Sequence, residues 1–182
     1  MVGFQLQGVT DKQILQGCLA GQRTAQEFLY NHYAPQMFGI CLRYASDYHH
    51  AEDILQEGFV KVFNRLDQYR GTGSFEGWLK RIFINTAIEY YRKSIKHLKY
   101  QALSGINEVA FDHHIISELA RQDLLKVIQK LPIGYRTVFN LYAIEGYSHK
   151  EIATLLEISE GTSKSQLARA RKTLQALIKT FL

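Results

Sequence analysis

Residues 146–180, GYSHKEIATLLEISEGTSKSQLARARKTLQALIKT, decide how the rest of the chain is read. Ser148-His149-Lys150-Glu151 has the capping-box pattern: the serine hydroxyl takes the N3 amide and the glutamate reaches back to the N-cap amide. Ile152, Leu155 and Leu156 follow at helical spacing and make the buried side of a short helix. Glu157-Ile158-Ser159 is a tight turn. Glu160 then opens a longer helix through Leu167, Ala170, Leu174, Leu177 and Ile178. A short capped helix, a three-residue turn and a second helix with a basic exposed side form the helix-turn-helix pattern. The competing reading is two adjacent helices of any small bundle.

Outward from that block the chain reads as helix almost throughout. Residues 136–145 form another short helix with Val138, Leu141 and Tyr142 inward. Leu131-Pro132 closes a helix that opens near Glu118 and carries Leu119, Leu124, Val127 and Ile128. Residues 101–117, with Ser104, Gly105 and Asn107 close together, break the pattern and read as a linker longer than an ordinary loop. Before it, Phe75, Trp78, Leu79, Ile82, Phe83, Thr86 and Tyr90 give a helix its period, with Ser74 as N-cap. The run Asp67-Gln68-Tyr69-Arg70-Gly71-Thr72-Gly73-Ser74 is a loop by its glycines and polarity.

Residues 51–66 are strongly amphipathic. Ala51, Leu55, Phe59, Val62, Phe63 and Leu66 form one stripe, while Asp53, Gln56 and Glu57 share another face. Ser46-Asp47 breaks the chain before them. From Thr24 a longer helix carries Ala25, Phe28, Leu29, Tyr33, Met37, Ile40, Cys41 and Tyr44, with Pro35 as a kink or as the first turn of a new helix. Thr10 to Gln13 fits a capping box for a first helix that Gly21 ends or jogs. The expected fold class is all-α: two small helical domains joined by a linker, the C-terminal one a helix-turn-helix domain. The expected boundaries are 1–98, a linker over 99–118, and 119–182.

A length of 182 residues fits one or two domains at about 150 residues each. The net charge of +5 is mild, so its distribution carries more information. Residues 78–100 carry a net +5 and residues 160–182 a net +4, while residues 101–120 between them carry a net −3 from Glu108, Asp112 and Glu118. Two basic segments thus flank an acidic spacer. Two cysteines, Cys18 and Cys41, exclude a disulfide-dense scaffold and read as buried thiols. The longest apolar run is four residues, 141–144, against the about 20 that a membrane span needs. No signal-peptide pattern opens the chain, and the expected compartment is the cytoplasm.

Nothing in the chain assembles a catalytic motif. The seven histidines form no close His/Cys ligand pattern, and the adjacent pairs His49-His50 and His113-His114 do not face the same way on a helix. Gly71-x-Gly73 lacks the strand that a dinucleotide fingerprint needs. No catalytic residue, metal ligand, cofactor or small-molecule substrate is expected, and the chain is read as a non-enzyme.

Four motifs resemble those of bacterial RNA polymerase sigma factors of the extracytoplasmic-function (ECF) class, within the sigma-70 family. They are Ala51-Glu52-Asp53-Ile54-Leu55-Gln56-Glu57-x-Phe59; Phe75-x-x-Trp78-Leu79-x-x-Ile82-x-x-Asn85 with Glu89 and Arg92-Lys93; Leu131-Pro132-x-x-Tyr135-Arg136; and Glu145-Gly146-Tyr147-Ser148-x-x-Glu151-Ile152-Ala153, running on through Gly161-Thr162-x-Lys164-Ser165 to Arg169-Ala170-Arg171. The resemblance covers nearly all of residues 25–177. It implies that Asp53, Gln56 and Glu57 dock on the clamp helices of the largest subunit of core RNA polymerase. It implies that Tyr69, Arg70, Gly71, Thr72, Gly73 and Ser74, with Arg81, Asn85, Arg92 and Lys93 on the helix behind, open the -10 promoter element and capture a flipped non-template base. It implies that the last helix reads the -35 element through Thr162, Ser163, Lys164 and Gln166, with Arg169 and Arg171 as phosphate clamps. In some members those late arginines also face the flap of the second-largest subunit. Many members are held by an anti-sigma factor, often at the membrane.

The chain also departs from the pattern. Glu157 stands where the family's turn usually has glycine, so either the residue carries strain or the backbone avoids positive φ. Ser163 and Gln166 stand where many members have Val and Arg, so a -35 preference does not carry over. Residue 89 is Glu where Asp is commoner. The rival readings are a polymerase-independent helix-turn-helix regulator, which would need dimeric symmetry for a palindrome, and a helical protein-interaction module.

Overall fold

A computed structural model describes residues 11–104 and 121–181. Every regular element among them is helical: α1 (Asp11–Leu19), α2 (Arg23–Tyr44), α3 (Tyr48–Asn64), a 3-10 turn (Leu66–Gln68), α4 (Phe75–Ser104), α5 (Arg121–Gln129), α6 (Ile133–Phe139), a π-helical turn (Asn140–Ile144), α7 (His149–Leu156) and α8 (Glu160–Phe181). The expected Thr10 cap and most of the expected linker lie outside the described residues. Helix α4 runs on through Ser104, into the stretch expected as linker.

Helices α2, α3 and α4 form the N-terminal bundle. Gly21 ends α1 at φ +72°, where a side chain would be strained. Pro35 sits inside α2, which runs on as one helix. Pro35 and Asn31, the residue four before it, are both exposed, so the carbonyl that loses its donor faces water. Asp47 caps α3: its carboxylate accepts from the His50 amide at 2.9 Å. Burial would raise the Asp47 pKa, but bonds from the His50 amide, the His50 ring and Ser46 outweigh it and hold that carboxyl below its ordinary range. The stripe expected on α3 is the buried one, with Ala51, Leu55, Phe59 and Val62 inward. It meets Leu79, Ile82, Phe83 and Ala87 of α4 and Leu29, Met37, Ile40 and Cys41 of α2. Both thiols are buried. Burial pushes the Cys41 pKa up to about 12.

The C-terminal block is built as its local signals dictate. The capping box of α7 forms in full, with the Ser148 amide donating to Glu151 Oε2 at 2.8 Å and the Glu151 amide to Ser148 Oγ at 3.3 Å. The Ser148 hydroxyl, donating to Glu151 Oε2 at 2.7 Å, and the Ser148 amide hold the Glu151 carboxyl below its ordinary range. Leu156 ends α7, and Glu157 adopts φ 57°, ψ 44°, so the strained alternative is the one realised. This left-handed residue turns the amides of Glu157 and Ile158 onto the Ala153 carbonyl. One expectation fails. Tyr142 is 36% exposed, because residues 140–144 wind as a π-turn, with the Glu145 amide on the Asn140 carbonyl, and not as α-helix. The wider turn shifts the side-chain phase and swings Tyr142 outward.

The two blocks pack together. Val138, Leu141, Ile152, Leu156 and Leu167 join the core of the N-terminal bundle, while Val127, Ile128, Leu131, Ala170 and Leu174 make a second cluster. The seam is polar. Gln129 Nε2 donates to the Leu42 carbonyl at 2.9 Å and Asn140 Nδ2 to the Arg43 carbonyl at 2.6 Å. Arg43 pairs with Glu145 at 2.7 Å. Arg92 donates to the Leu155 carbonyl at 2.6 Å and 3.1 Å, with Glu157 at 3.5 Å. Arg136 is 2% exposed beside the seam and donates to the Gln129 carbonyl at 2.8 Å. Burial lowers its pKa to about 10, opposed by Tyr90 and Asp47, so it stays charged at neutral pH.

Two outcomes follow. Glu157→Gly removes the left-handed strain and forfeits only an exposed ion pair, so urea unfolding should show a gain of about 1 kcal/mol. Gln129→Ala with Asn140→Ala strips the end of α2 of both side-chain caps. The pair should cost about 1 kcal/mol each in the same assay and raise the radius of gyration in solution scattering. An unchanged radius would show that the apolar contacts alone hold the blocks together.

Candidate nucleic-acid and protein interfaces

On α3 the side opposite the buried stripe presents Asp53 and Gln56 fully outward and Glu57 partly so. Val60, 58% exposed and one turn on from Gln56 and Glu57, adds an apolar centre to that face. The sequence reading passed over it because a lone outward valine carries no periodic signal. Glu57 is tied back to the bundle. Lys61 Nζ lies 3.0 Å from Glu57 and 2.7 Å from Glu89 of α4, and donates to Thr86 Oγ1 at 3.2 Å. Lys93 Nζ lies 3.7 Å from Glu57. This α3 face is therefore rigid and acidic, with an apolar spot.

The loop before α4 is shaped by two glycines with positive φ, Gly71 (φ 72°) and Gly73 (φ 86°). Tyr69 donates its hydroxyl to the Gly73 carbonyl at 2.9 Å, closing the loop on itself. Its ring packs 5.1 Å from Phe75 and 5.6 Å from Trp78, so Tyr69 and Trp78 form a half-buried aromatic floor. Ser74 accepts from the Gly77 amide at 3.0 Å as the N-cap of α4. Arg70, Gly71, Thr72 and Gly73 are exposed above that floor. Along α4, Arg81 and Asn85 are exposed, and Arg92 continues their stripe two turns on. Lys93 is exposed beside it. The Arg92 guanidinium is engaged by the Leu155 carbonyl at the end of α7, so in this arrangement it is not open to a phosphate.

Helix α8 corrects two expected contacts. Leu167, Ala170 and Leu174 face inward, and Ser163 lies on the same side, fully buried, with its hydroxyl 2.9 Å from His149 Nδ1. It cannot meet a base. Gln166 is half-buried with its amide against Gly134 of α6, and its Oε1 is buried without a hydrogen-bond partner. It faces α6 and not the groove side. The outward face instead carries Lys164, Ser165, Ala168, Arg169, Arg171 and Lys172, with Thr162 at its margin. Ser165, Ala168 and Lys172 escaped the sequence reading, although the phase of Leu167, Ala170 and Leu174 marks them as outward. Arg169 lies 3.3 Å from the Tyr135 hydroxyl, and the Arg171 guanidinium sits 5.8 Å from the Tyr142 ring centroid. Among the described residues, no group of three or more His, Cys, Asp or Glu is placed to hold a metal ion.

Residues 29–96 match the family model for sigma-70 region 2, and residues 121–174 match that for sigma-70, region 4. The RNA polymerase sigma-H factor of Pseudomonas aeruginosa is 27% identical, across 94% of this chain and 95% of its own length. The ECF RNA polymerase sigma-E factor of Escherichia coli K12 is 26% identical, across 96% and 97%. Among solved structures, the sigma factor RpoE of Bartonella quintana, in complex with the anti-sigma factor NepR, is 26% identical with a TM-score of 0.50 over 84% of this chain and 96% of that one.

Proposed function

This chain belongs to the sigma-70 family of RNA polymerase sigma factors, among its ECF-like members, and on that premise we propose how its surfaces divide the work of promoter-specific initiation. Sigma factors are not enzymes, so every step is binding. The α3 face of Asp53, Gln56, Glu57 and Val60 docks on the clamp helices of the largest polymerase subunit. An acidic rim around an apolar spot suits a basic helical partner. The loop of Arg70, Gly71, Thr72 and Gly73 over its aromatic floor, with Arg81 and Asn85, opens the -10 element and holds a flipped non-template base. Stacking supplies roughly 1–3 kcal/mol per base toward that opening. Lys93 serves as a backbone contact, and Arg92 joins it once it leaves the Leu155 carbonyl.

Helix α8 lies in the major groove of the -35 element. Lys164 and Ser165 face base edges, Ala168 offers a methyl-sized apolar contact, and Arg169, Arg171 and Lys172 clamp phosphates. The N-terminal block, the linker and the C-terminal block then act as the expected 1–98, 99–118 and 119–182 division, with α4 running into the linker as far as Ser104. The factor works in the cytoplasm beside polymerase. An anti-sigma factor, as for the Bartonella quintana relative, is a fitting further partner.

The observation that carries this reading is the α3 face. A polymerase-independent regulator has no use for a rigid, outward acidic patch away from its helix-turn-helix. Run-off transcription on a pooled genomic promoter library, with purified core polymerase, tests it. Start sites that depend on the protein and share paired -35 and -10 elements are the expected result. Asp53→Lys with Glu57→Lys should weaken core binding by about 30-fold or more while circular dichroism stays unchanged. Sequence-specific binding to duplex DNA with no binding to core polymerase would point to the regulator instead, and undiminished core binding by the double variant would overturn the assignment of the α3 face.

A further inference from the structure

We propose that His149 is a positioning residue for the recognition helix. Paired with Ser163, it sets the rotation at which α8 presents its outward side chains. This rests on the reading of α8 as the -35 helix and deepens it.

Ser163 is fully buried on the inward side of α8, where an apolar side chain would serve burial equally well. It carries a hydroxyl instead, and that hydroxyl meets His149 Nδ1 at 2.9 Å. His149 opens α7, so this bond joins the two helices of the helix-turn-helix directly. The other side of the imidazole is also fixed. Its ring stacks on Tyr142, with centroids 4.5 Å apart and planes 22° from parallel. The Arg171 guanidinium lies 5.8 Å from the centroid of the same Tyr142 ring. A closed circuit results: from Ser163 of α8 through His149 of α7 and Tyr142 of the π-turn, and back to Arg171 of α8.

Ser163 and Arg171 are eight residues apart, about 12 Å along the helix axis. The buried Ser163 bond, with the looser Arg171–Tyr142 contact at the second height, resists rotation of α8 about that axis. The apolar contacts of Leu167, Ala170 and Leu174 resist it less, because apolar burial is non-directional. A hydrogen bond is directional and weakens steeply off axis. The distinction matters at the groove. With side chains at about 5–6 Å from the axis, a rotation of about 20° moves their tips by about 2 Å, enough to break a hydrogen bond to a base edge. Phosphate contacts by long flexible lysines and arginines tolerate such a shift. The pair should therefore govern discrimination between sequences more than overall affinity.

The experiment uses full-length protein in holoenzyme. Binding is measured on the -35 duplex selected by the wild type and on single-base variants of it. Ser163→Ala removes the hydroxyl alone. His149→Phe keeps a ring against Tyr142 and removes the nitrogen. Each single variant should lower the discrimination ratio by about threefold to tenfold, with a smaller change in binding to unrelated duplex, and the double variant should be no worse than either single. Wild-type discrimination retained in both singles overturns the proposal, as do losses that multiply in the double. An equal loss of affinity on every duplex would make the pair merely structural and overturns it as well. If His149→Phe does not fold, Ser163→Ala decides alone. A wild-type holoenzyme with no -35 preference would strike down the recognition-helix reading itself, a result distinct from failure of the pair.

Discussion

Two backbone carbonyls at the end of α2, those of Leu42 and Arg43, determine where the C-terminal block sits. They fall in the last turn of the helix, where donors within the helix run out. Gln129 and Asn140 supply the missing donors from the other block. Arg43 adds its charge to Glu145, and Arg92 reaches in the reverse direction to the end of α7. The seam thus works by mutual capping of helix ends. It is also incompletely satisfied: Arg43 Nε, Tyr44 Oη, Arg136 Nε and Asn140 Oδ1 are buried with no hydrogen-bond partner. Each such atom costs about 1–3 kcal/mol. With the shared apolar core of Val138, Leu141, Ile152, Leu156 and Leu167, these bonds fix the register in which the two blocks meet.

The elements that were legible in the sequence are those set by local chemistry. The Ser148–Glu151 capping box, the Ser74 cap, the glycine-bearing loop and the buried stripe of α3 involve residues within a few positions of one another. The turn at Glu157 was legible as a choice between two outcomes, and the backbone took the strained one. The misreadings have one cause, helical phase. Ser163 and Gln166 were placed by analogy of position, and the wheel anchored on Leu167 and Ala170 turns them away from the groove. Tyr142 was placed with α-helical spacing, which the π-turn does not follow. The seam was not legible at all. Its bonds join residues 63 to 102 positions apart, and no local pattern announces them.

Lys61 gives the N-terminal bundle a coherence that the apolar core alone would not. It gathers Glu57 of the α3 face, Thr86 of the interior and Glu89 of α4 around a single ammonium group. The face assigned to polymerase and the helix assigned to the -10 element therefore share one charge centre, and their relative orientation is set by it.

The loop of residues 69–74 carries a consequence for kinetics. Two glycines already hold positive φ, and the Tyr69 hydroxyl closes the loop onto the Gly73 carbonyl. Its shape is thus established when the protein folds, and a ligand that meets it has little backbone left to order. Binding to a preformed surface avoids an ordering step, so in the -10 role proposed for the loop, capture would be paced by how fast a base leaves its stack and not by the protein. In that proposed role the rate of capture would belong to the DNA, and the duration of the contact to the loop.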